Sequence, residues 1–261
     1  MKDISKISSV FFAFIFFGCI SSAVYIFNDW KDLEADKQHP KKRKRPLANG
    51  DIPLSIAWLI MIVFAAISLL GSFFWSVKLG LVILAYALMN LAYSLFLKRI
   101  AILDVTIIAL GFLLRVWAGG ITSDIVLSHW LIIMIFLLSM FLALAKRRDD
   151  LIEIKENHQS TQIRQSQAGY NFEFINIVLS IMTAVLLVGY LMYITSPEVI
   201  ERLDTPYAYF SFLFVLLGML RYLQLIYVEK NSGNPTATFW KDRFIQINVL
   251  LWLAFFAFML Y

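Results

Sequence analysis

The feature that most constrains this chain is a series of long apolar segments separated by shorter polar ones. A segment of roughly 17 to 25 mostly apolar residues is long enough to cross the hydrocarbon layer of a membrane as a helix. Eight such segments occur, with approximate bounds Ile7 to Phe27, Leu54 to Trp75, Leu79 to Phe96, Ala101 to Gly120, Leu127 to Leu144, Phe172 to Tyr193, Tyr207 to Tyr227 and Phe244 to Leu260. They predict an all-α fold, a polytopic transmembrane bundle of eight helices, as a single domain over residues 1–261.

The composition agrees with a protein whose solvent is the bilayer. Hydrophobic residues make up 60% of the chain and charged residues 16%, which is too little charge to coat a water-soluble domain. The one cysteine, Cys19, lies inside an apolar segment, so it indicates neither a disulfide nor a metal site. The net charge of +5 does not indicate nucleic-acid binding, because the basic residues lie in loops between apolar segments.

The positions of Lys and Arg predict the orientation of the bundle, since positively charged loops stay in the cytoplasm. Most of the 23 Lys and Arg residues fall in alternate loops. We therefore predict a multi-pass protein of a bacterial-type inner membrane whose active site faces the cytoplasm. The same alternation places the N-terminus outside, at a first helix without a recognisable signal peptide, so we expect either that a helix upstream is missing from this chain or that the chain is an eight-helix variant.

An acidic run follows the first apolar segment directly. Asn28, Asp29, Asp32 and Asp36 are spaced so that they share one stripe of a helix. Three carboxylates at this spacing repel one another unless a cation lies among them. Mg²⁺ is such a cation, and it favours a few carboxylates together with substrate phosphate oxygens. The alternative is an ordinary solvated helix end.

A basic segment comes next, with two prolines that prevent the helix from continuing. It contains Lys37, His39, Lys42 and Arg45, so carboxylates and basic side chains meet in one loop. A magnesium diphosphate needs both, because the metal bridges some phosphate oxygens and Arg or Lys neutralises the others. The segment also suits anchoring at a cytoplasmic, anionic membrane surface, and the two roles are compatible.

A second charged cluster follows the fifth apolar segment, and its members are Lys146, Arg147, Arg148, Asp149 and Asp150. From the residues alone it is favoured to be a solvated loop that stops translocation.

Two ionisable residues lie in or near the fourth segment. Asp104 and Arg115 are eleven residues apart, on the same helix face but separated by about 16 Å along the axis. They cannot form a direct salt bridge. Arg115 is either an interior arginine satisfied by carbonyls or a carboxylate, or a residue that holds a lipid phosphate.

These motifs carry a resemblance to a known family. Asn28, Asp29, Asp32 and Asp36 match the N-D-x-x-D-x-x-x-D motif of the UbiA superfamily of intramembrane prenyltransferases. Within it the chain most resembles the decaprenyl-phosphate phosphoribosyltransferase branch, on the pattern from Asp36 to Pro46, on Tyr93-Ser94 with Lys98, and on Asp104-Val105 followed by Gly111-Phe112-x-x-Arg115-x-x-Ala118-Gly119.

The resemblance implies a fold of nine helices, of which the first has no counterpart here. It implies transfer of 5-phosphoribose from phosphoribosyl diphosphate to a polyprenyl phosphate of decaprenyl type, with release of diphosphate and with Mg²⁺ as cofactor, for cell-envelope polysaccharide precursors. One alternative keeps the fold and moves a polyprenyl group from its diphosphate to an aromatic or other small acceptor. Another is a transporter or a structural membrane protein, whose charges would mark a permeation path.

The resemblance also implies roles for single residues. Asp29, Asp32 and Asp36 are expected to be catalytic and to bind the metal, together with Asp149 and Asp150 from the second cluster. The expected substrate-binding residues are Asn28, Lys37, His39, Lys42, Arg45, Tyr93, Lys98, Arg115, Lys146, Arg147 and Arg148.

Overall fold

The structure is a computed structural model that describes residues 4–39, 41–157, 169–229, 238 and 240–260. Every regular element in these residues is helical. Short 3-10 helices lie at Lys42–Lys44, Leu97–Arg99 and Pro206–Ser211. The α-helices are α1 Ile4–Lys31, α2 Leu33–Gln38, α3 Pro46–Asn49, α4 Leu54–Trp75, α5 Val77–Leu95, α6 Leu103–Ser123, α7 His129–Asn157, α8 Phe172–Ile194, α9 Pro197–Leu203, α10 Phe212–Tyr227 and α11 Arg243–Leu260.

The prediction of an all-α transmembrane bundle is confirmed. Within the described residues, seven helical segments are long and apolar enough to span a membrane, and the last of them joins the 3-10 turn at Pro206 to α10. The eighth predicted span is a shorter apolar helix, Arg243–Met259. At 1.5 Å per residue such a helix is about 25 Å long, a little less than the hydrocarbon thickness.

Two helices extend further than the apolar pattern indicated. Helix α1 reaches Lys31, so Asn28 and Asp29 belong to its last turn. Helix α7 has 29 residues and reaches Asn157, so the charged cluster from Lys146 to Asp150 lies on a helix and not in a loop. The physical reason is that α7 contains no Pro or Gly, and charged residues such as Lys, Arg and Glu are good helix formers once outside the apolar layer.

The chain divides into two compact units, one ending at Ser128 and the other beginning at His129. In the first, α1 packs against α4, α5 and α6. Its core is formed by apolar side chains from α1, α5 and α6: Ala13, Phe16, Phe17, Ile20, Val24, Leu79, Ile83, Tyr86, Ala87 and Ala118.

A close approach fixes α4 against α1. The buried Ser68 hydroxyl donates to the Phe16 carbonyl at 2.7 Å, and one turn later Gly71 faces the Phe16 ring, where a Cβ would lie 2.5 Å from Cε1. Small residues of this kind let transmembrane helices pack closely, since helices in lipid gain little from the hydrophobic effect between them.

The second unit pairs α7 with α8 and α10 with α11. Tyr190, Ile194, Val199 and Ala208 form a core cluster there. The Tyr190 hydroxyl lies 2.8 Å from Ser211 Oγ and accepts from Trp252 Nε1 at 3.2 Å. This network satisfies polar groups that would be costly to leave unpaired in the membrane.

The loop after α1 is shaped by the prolines. Helix α2 ends at Gln38, two residues before Pro40, and Pro46 begins α3 at a position where its missing N–H costs nothing. Gly50 follows α3 with φ 85°, a conformation that favours glycine. The 3-10 helix Lys42–Lys44 and α3 both pack against α2, and Arg45, which lies between them, is thereby brought towards the acidic run.

Candidate active site

The acidic run crosses the junction between α1 and α2 without losing helical hydrogen bonding. The Asp32 N–H donates to the Asn28 carbonyl at 3.0 Å, and the Asp36 N–H donates to the Asp32 carbonyl at 2.8 Å. Asn28, Asp32 and Asp36 thus keep the spacing of one helical stripe although α1 ends at Lys31.

Arg45 joins two of the carboxylates. Its Nη1 donates to Asp29 Oδ1 at 2.7 Å and to Asp36 Oδ2 at 2.8 Å. The Asp36 side chain is almost fully buried, at 3% exposure, and that of Asp29 is 30% exposed. Because both oxygens bond one nitrogen, they lie at most about 5.5 Å apart.

Lys98 neutralises the third carboxylate. It lies on the 3-10 helix Leu97–Arg99 that follows α5, and its Nζ donates to Asp32 Oδ1. The repulsion expected within the acidic run is therefore balanced by two cations of the same unit. The family resemblance implies that Arg45 and Lys98 bind substrate, which stays a prediction; in the structure each lies beside a carboxylate.

The donor set at this end of the first unit suits Mg²⁺. It consists of carboxylate oxygens and of Asn28 Oδ1, which is buried and has no hydrogen-bond partner among the described residues. In the described part of the chain, no three His, Cys, Asp or Glu side chains converge into a complete metal cage. Mg²⁺ commonly uses one or two carboxylates with water and substrate phosphates, which is the arrangement these residues fit. Their metal-binding role stays a prediction.

The remaining predicted residues of the loop have local contacts. Lys37 pairs with Glu34 at 2.9 Å on the exposed side of α2. His39 Nδ1 accepts from the backbone N–H groups of Lys41 and Lys42 at 3.2 and 3.3 Å, so it holds the turn. The Lys42 side chain is exposed and Tyr93 is half-buried.

Arg115 is held inside the membrane-spanning part of the first unit by neutral groups. Its Nη2 donates to Ser21 Oγ at 3.2 Å and to the Tyr86 hydroxyl at 3.1 Å. The guanidinium also lies over the rings of Phe17 and Phe112, at 5.7 and 5.4 Å from their centroids. Among the described residues no carboxylate forms an ion pair with it. The contacts are those of a cation available to an anionic ligand.

Sequence reasoning missed Ser21 and Tyr86, although a signal for both was present. Ser21 lies seven residues before Asn28, on the same face of α1. On α5, Tyr86 begins a polar stripe that recurs every four residues through Asn90 and Ser94.

The second unit places the other predicted cluster on α7. Arg148 is buried, at 7% exposure; its Nε donates to Asn176 Oδ1 at 2.9 Å and its Nη1 to the Ile226 carbonyl at 2.7 Å. These bonds tie α7 to α8 and α10. Arg147 pairs with Asp150 at 3.2 Å.

Lys146 is exposed and Asp149 is half-buried. The substrate-binding and metal-binding roles expected for the α7 cluster stay predictions.

An ion pair links α10 to the start of α11. Arg221 Nε and Nη2 donate to Asp242 Oδ2 at 3.0 and 2.6 Å, and Asp242 Oδ1 accepts from the Ile245 N–H at 2.9 Å. The hydrogen bonds from Arg221 hold the pKa of Asp242 below its ordinary value. This pair stabilises the beginning of α11.

The acidic motif, its paired cations and the helical bundle agree with a comparison against known families. A sequence model described as the UbiA prenyltransferase family matches residues 2–250. The chain belongs to this family. It is therefore a transferase by family, and the transporter and structural alternatives are set aside.

Curated relatives cover most of the chain. A decaprenyl-phosphate phosphoribosyltransferase of Mycolicibacterium smegmatis is 31% identical over 248 residues, which are 92% of this chain and 77% of that protein. The decaprenyl-phosphate phosphoribosyltransferase of Mycobacterium tuberculosis is 30% identical over 254 residues, 96% of this chain and 81% of that protein.

Solved structures share the fold. A UbiA homologue from Archaeoglobus fulgidus bound to DMAPP and Mg²⁺ superposes with a TM-score of 0.70 at 17% identity, over 97% of this chain and 87% of that one. The same homologue bound to GPP and Mg²⁺ gives a TM-score of 0.69. The fold prediction of a UbiA-like bundle is confirmed, and the chain is a multi-pass integral membrane protein.

Proposed function

We propose that this protein transfers 5-phosphoribose from phosphoribosyl diphosphate to a polyprenyl phosphate of decaprenyl type and releases diphosphate. The observation that carries the proposal is the grouping of three carboxylates with Arg45 and Lys98 at one end of the first unit. The named activity of relatives 30–31% identical over nearly the whole chain supports the same donor and acceptor.

The donor's diphosphate lies, in this proposal, against Asp29, Asp32 and Asp36. Mg²⁺ bound by these carboxylates would neutralise negative charge on the leaving diphosphate. Arg45 uses Nη1 for Asp29 and Asp36, so its Nε and Nη2 donors are available for phosphate oxygens. Lys98 supplies a second cation beside Asp32.

The transfer exchanges one bond at the anomeric carbon of ribose. The bond from that carbon to the diphosphate oxygen breaks, and the diphosphate departs with the electron pair. An oxygen of the lipid phosphate, already an anion, forms the new bond, so the reaction needs no general base. Positioning of the two anions and electrostatic stabilisation by the basic side chains account for the catalysis.

Arg115 holds the phosphate of the lipid acceptor in this proposal. Its partner Ser21 lies seven residues before Asn28 on α1, about 10 Å further along the helix. A cation with neutral partners inside a span suits an anion that arrives from the lipid side. The active site faces the cytoplasm of a bacterial-type inner membrane, in keeping with the basic loop from Lys37 to Arg45.

The second candidate is transfer of a polyprenyl group from its diphosphate to a small acceptor, which the family as a whole supports. The two candidates are separated with purified protein in lipid nanodiscs, given Mg²⁺, labelled phosphoribosyl diphosphate and polyprenyl phosphate. We expect lipid-linked label, lost in Asp29→Asn and Asp36→Asn and kept in Asp51→Asn, an exposed carboxylate bonded to Asn49. Prenylation of an aromatic acceptor without any lipid-linked ribose would refute the proposal.

A further inference from the structure

The connection between α5 and α6 contains an uncommon backbone conformation. Ile102, the residue before α6, has φ 69° and ψ −46°. Residues other than glycine rarely have a positive φ, and a residue branched at Cβ is an outlier there because its side chain crowds the backbone. Such a conformation persists only where the surrounding contacts enforce it, and residues of this kind cluster at functional sites.

The contacts that enforce the turn at Ile102 come from the beginning of α6. The Thr106 N–H and the Thr106 hydroxyl both donate to the Ile102 carbonyl, at 3.0 and 2.7 Å. The Asp104 N–H donates to the Ile100 carbonyl at 3.1 Å. The Ile102 side chain is 51% exposed, so its burial accounts for little of the free energy that holds the turn. The position therefore contributes a backbone conformation more than a packed side chain.

This turn determines where the preceding 3-10 helix lies. The 3-10 helix Leu97–Arg99 packs against both α5 and α6, and residues 100–102 alone separate it from α6. Its middle residue, Lys98, donates to Asp32 Oδ1, and the Lys98 side chain is 19% exposed. A lysine side chain is flexible and has no direction of its own, so its ammonium stays beside Asp32 only if the backbone is held within reach.

We propose that Ile102 is a positioning residue for the donor site, because its turn holds Lys98 beside Asp32, where the ammonium meets the diphosphate. The inference rests on the proposed function, in which Lys98 supplies a cation for that diphosphate. An ordered backbone reduces the conformational entropy that a flexible lysine loses when phosphate binds. It also keeps the ammonium in place for the charge that develops on the leaving group.

The test measures the dissociation constant of inorganic diphosphate with Mg²⁺, by calorimetry on the protein in nanodiscs. Proline fixes φ near −65° and cannot form the turn, so we expect Ile102→Pro to weaken binding by about 10- to 100-fold, the range for one charge-assisted hydrogen bond. Glycine adopts positive φ without strain, so Ile102→Gly should bind diphosphate within about three-fold of the wild type. The KM for polyprenyl phosphate should be unchanged in both.

The same substitutions in a Lys98→Ala background separate positioning from a general structural role. Once the cation is absent, Ile102→Pro should weaken diphosphate binding no further, whereas a general structural role gives the same loss in both backgrounds. Thr106→Val keeps the side-chain shape and removes the hydroxyl that bonds Ile102; it should weaken binding a few-fold, again only when Lys98 is present. This comparison serves if Ile102→Pro does not fold. Val126→Pro, at a 95% exposed position beyond the other end of α6, is the matched control and should bind as the wild type does.

Three results would overturn the inference. They are equal diphosphate binding in the wild type and Ile102→Pro, equal losses with and without Lys98, and a loss in Ile102→Gly or Val126→Pro as large as in Ile102→Pro. The proposed function is judged separately, by the transfer of labelled ribose to lipid. A wild type that transfers no ribose would refute it, and the diphosphate-binding pattern above would still establish the positioning role of Ile102.

Discussion

Removal of the Arg45 side chain leaves Asp29 and Asp36 without their shared cation. Their oxygens lie at most about 5.5 Å apart, and two unit charges at this distance repel by about 3 kcal/mol at an effective dielectric constant near 20. Water reaches Asp29, whose side chain is 30% exposed, and screens part of this repulsion. We therefore expect Arg45→Ala to lower the free energy of unfolding by about 1–3 kcal/mol in the absence of divalent cations.

Mg²⁺ should restore part of that loss, because it can take the place of the guanidinium between the two carboxylates. The assay is thermal unfolding of the purified protein in nanodiscs, with and without Mg²⁺. We expect the Mg²⁺-induced rise in melting temperature to be larger in Arg45→Ala than in the wild type, since no arginine competes with the metal. The KM for the donor should also rise.

Arg43→Ala is the control for this experiment. Arg43 is exposed on the same basic segment, and its removal changes the net charge equally. Its melting temperature and Mg²⁺ response should match those of the wild type. If the two variants behave alike, or if Mg²⁺ stabilises Arg45→Ala no more than the wild type, the reasoning about the acidic run is refuted.

Three further predictions test packing and ion pairs. Gly71→Ala should lower the free energy of unfolding by about 1–3 kcal/mol, because its Cβ would lie 2.5 Å from the buried ring of Phe16; thermal unfolding measures this. Arg148→Lys should lower the melting temperature at unchanged donor KM, because lysine cannot make both bonds that the guanidinium makes. The stability contributed by Asp242, whose pKa is lowered, should be fully present above its ordinary pKa of 3.8 and lost as pH falls below it; Asp242→Asn should lack this dependence in melting curves.

Each of these has a contrary outcome. Gly18→Ala, with nothing within 4 Å of the new Cβ, should be neutral or stabilising; equal loss in both glycine variants would contradict the packing argument. A raised donor KM at unchanged stability in Arg148→Lys would support the substrate-binding role predicted from sequence; Lys146→Ala, at an exposed position, is the comparison. If the melting temperatures of the wild type and Asp242→Asn fall equally at acid pH, the ion pair contributes nothing to stability.

The apolar pattern predicted the membrane-spanning helices well, because an apolar segment of that length has few possible structures other than a transmembrane helix. It misplaced the end of α7, since hydropathy marks where a helix leaves the bilayer and not where it stops. Residues after Leu144 continue the helix to Asn157, and only the lack of Pro and Gly signals this in the sequence. Helix α11 differs from the prediction in the opposite direction: its apolar segment is a little shorter than a membrane span.

The candidate site was predictable as a motif but not as a set of contacts. The spacing of Asp29, Asp32 and Asp36 identified them as one group, because residues a few positions apart share a helix face whatever the rest of the fold is. The pairing of Arg45 with two of them depends on how the chain turns between α2 and α3, and that of Lys98 depends on the register of α5 against α1. Arg148 looked like a surface cation in sequence because its partners, Asn176 and the Ile226 carbonyl, come from distant helices.

The central claim is that the ribose and its 5-phosphate move to the lipid while diphosphate leaves. The most direct measurement uses two donors, one labelled at the 5-phosphate and one labelled in the diphosphate, each with polyprenyl phosphate and Mg²⁺ in nanodiscs. The account predicts that the first label enters the lipid fraction and the second appears in water as diphosphate in equal amount, both lost in Asp29→Asn. It is contradicted if neither label moves while a polyprenyl diphosphate and an aromatic acceptor are turned over.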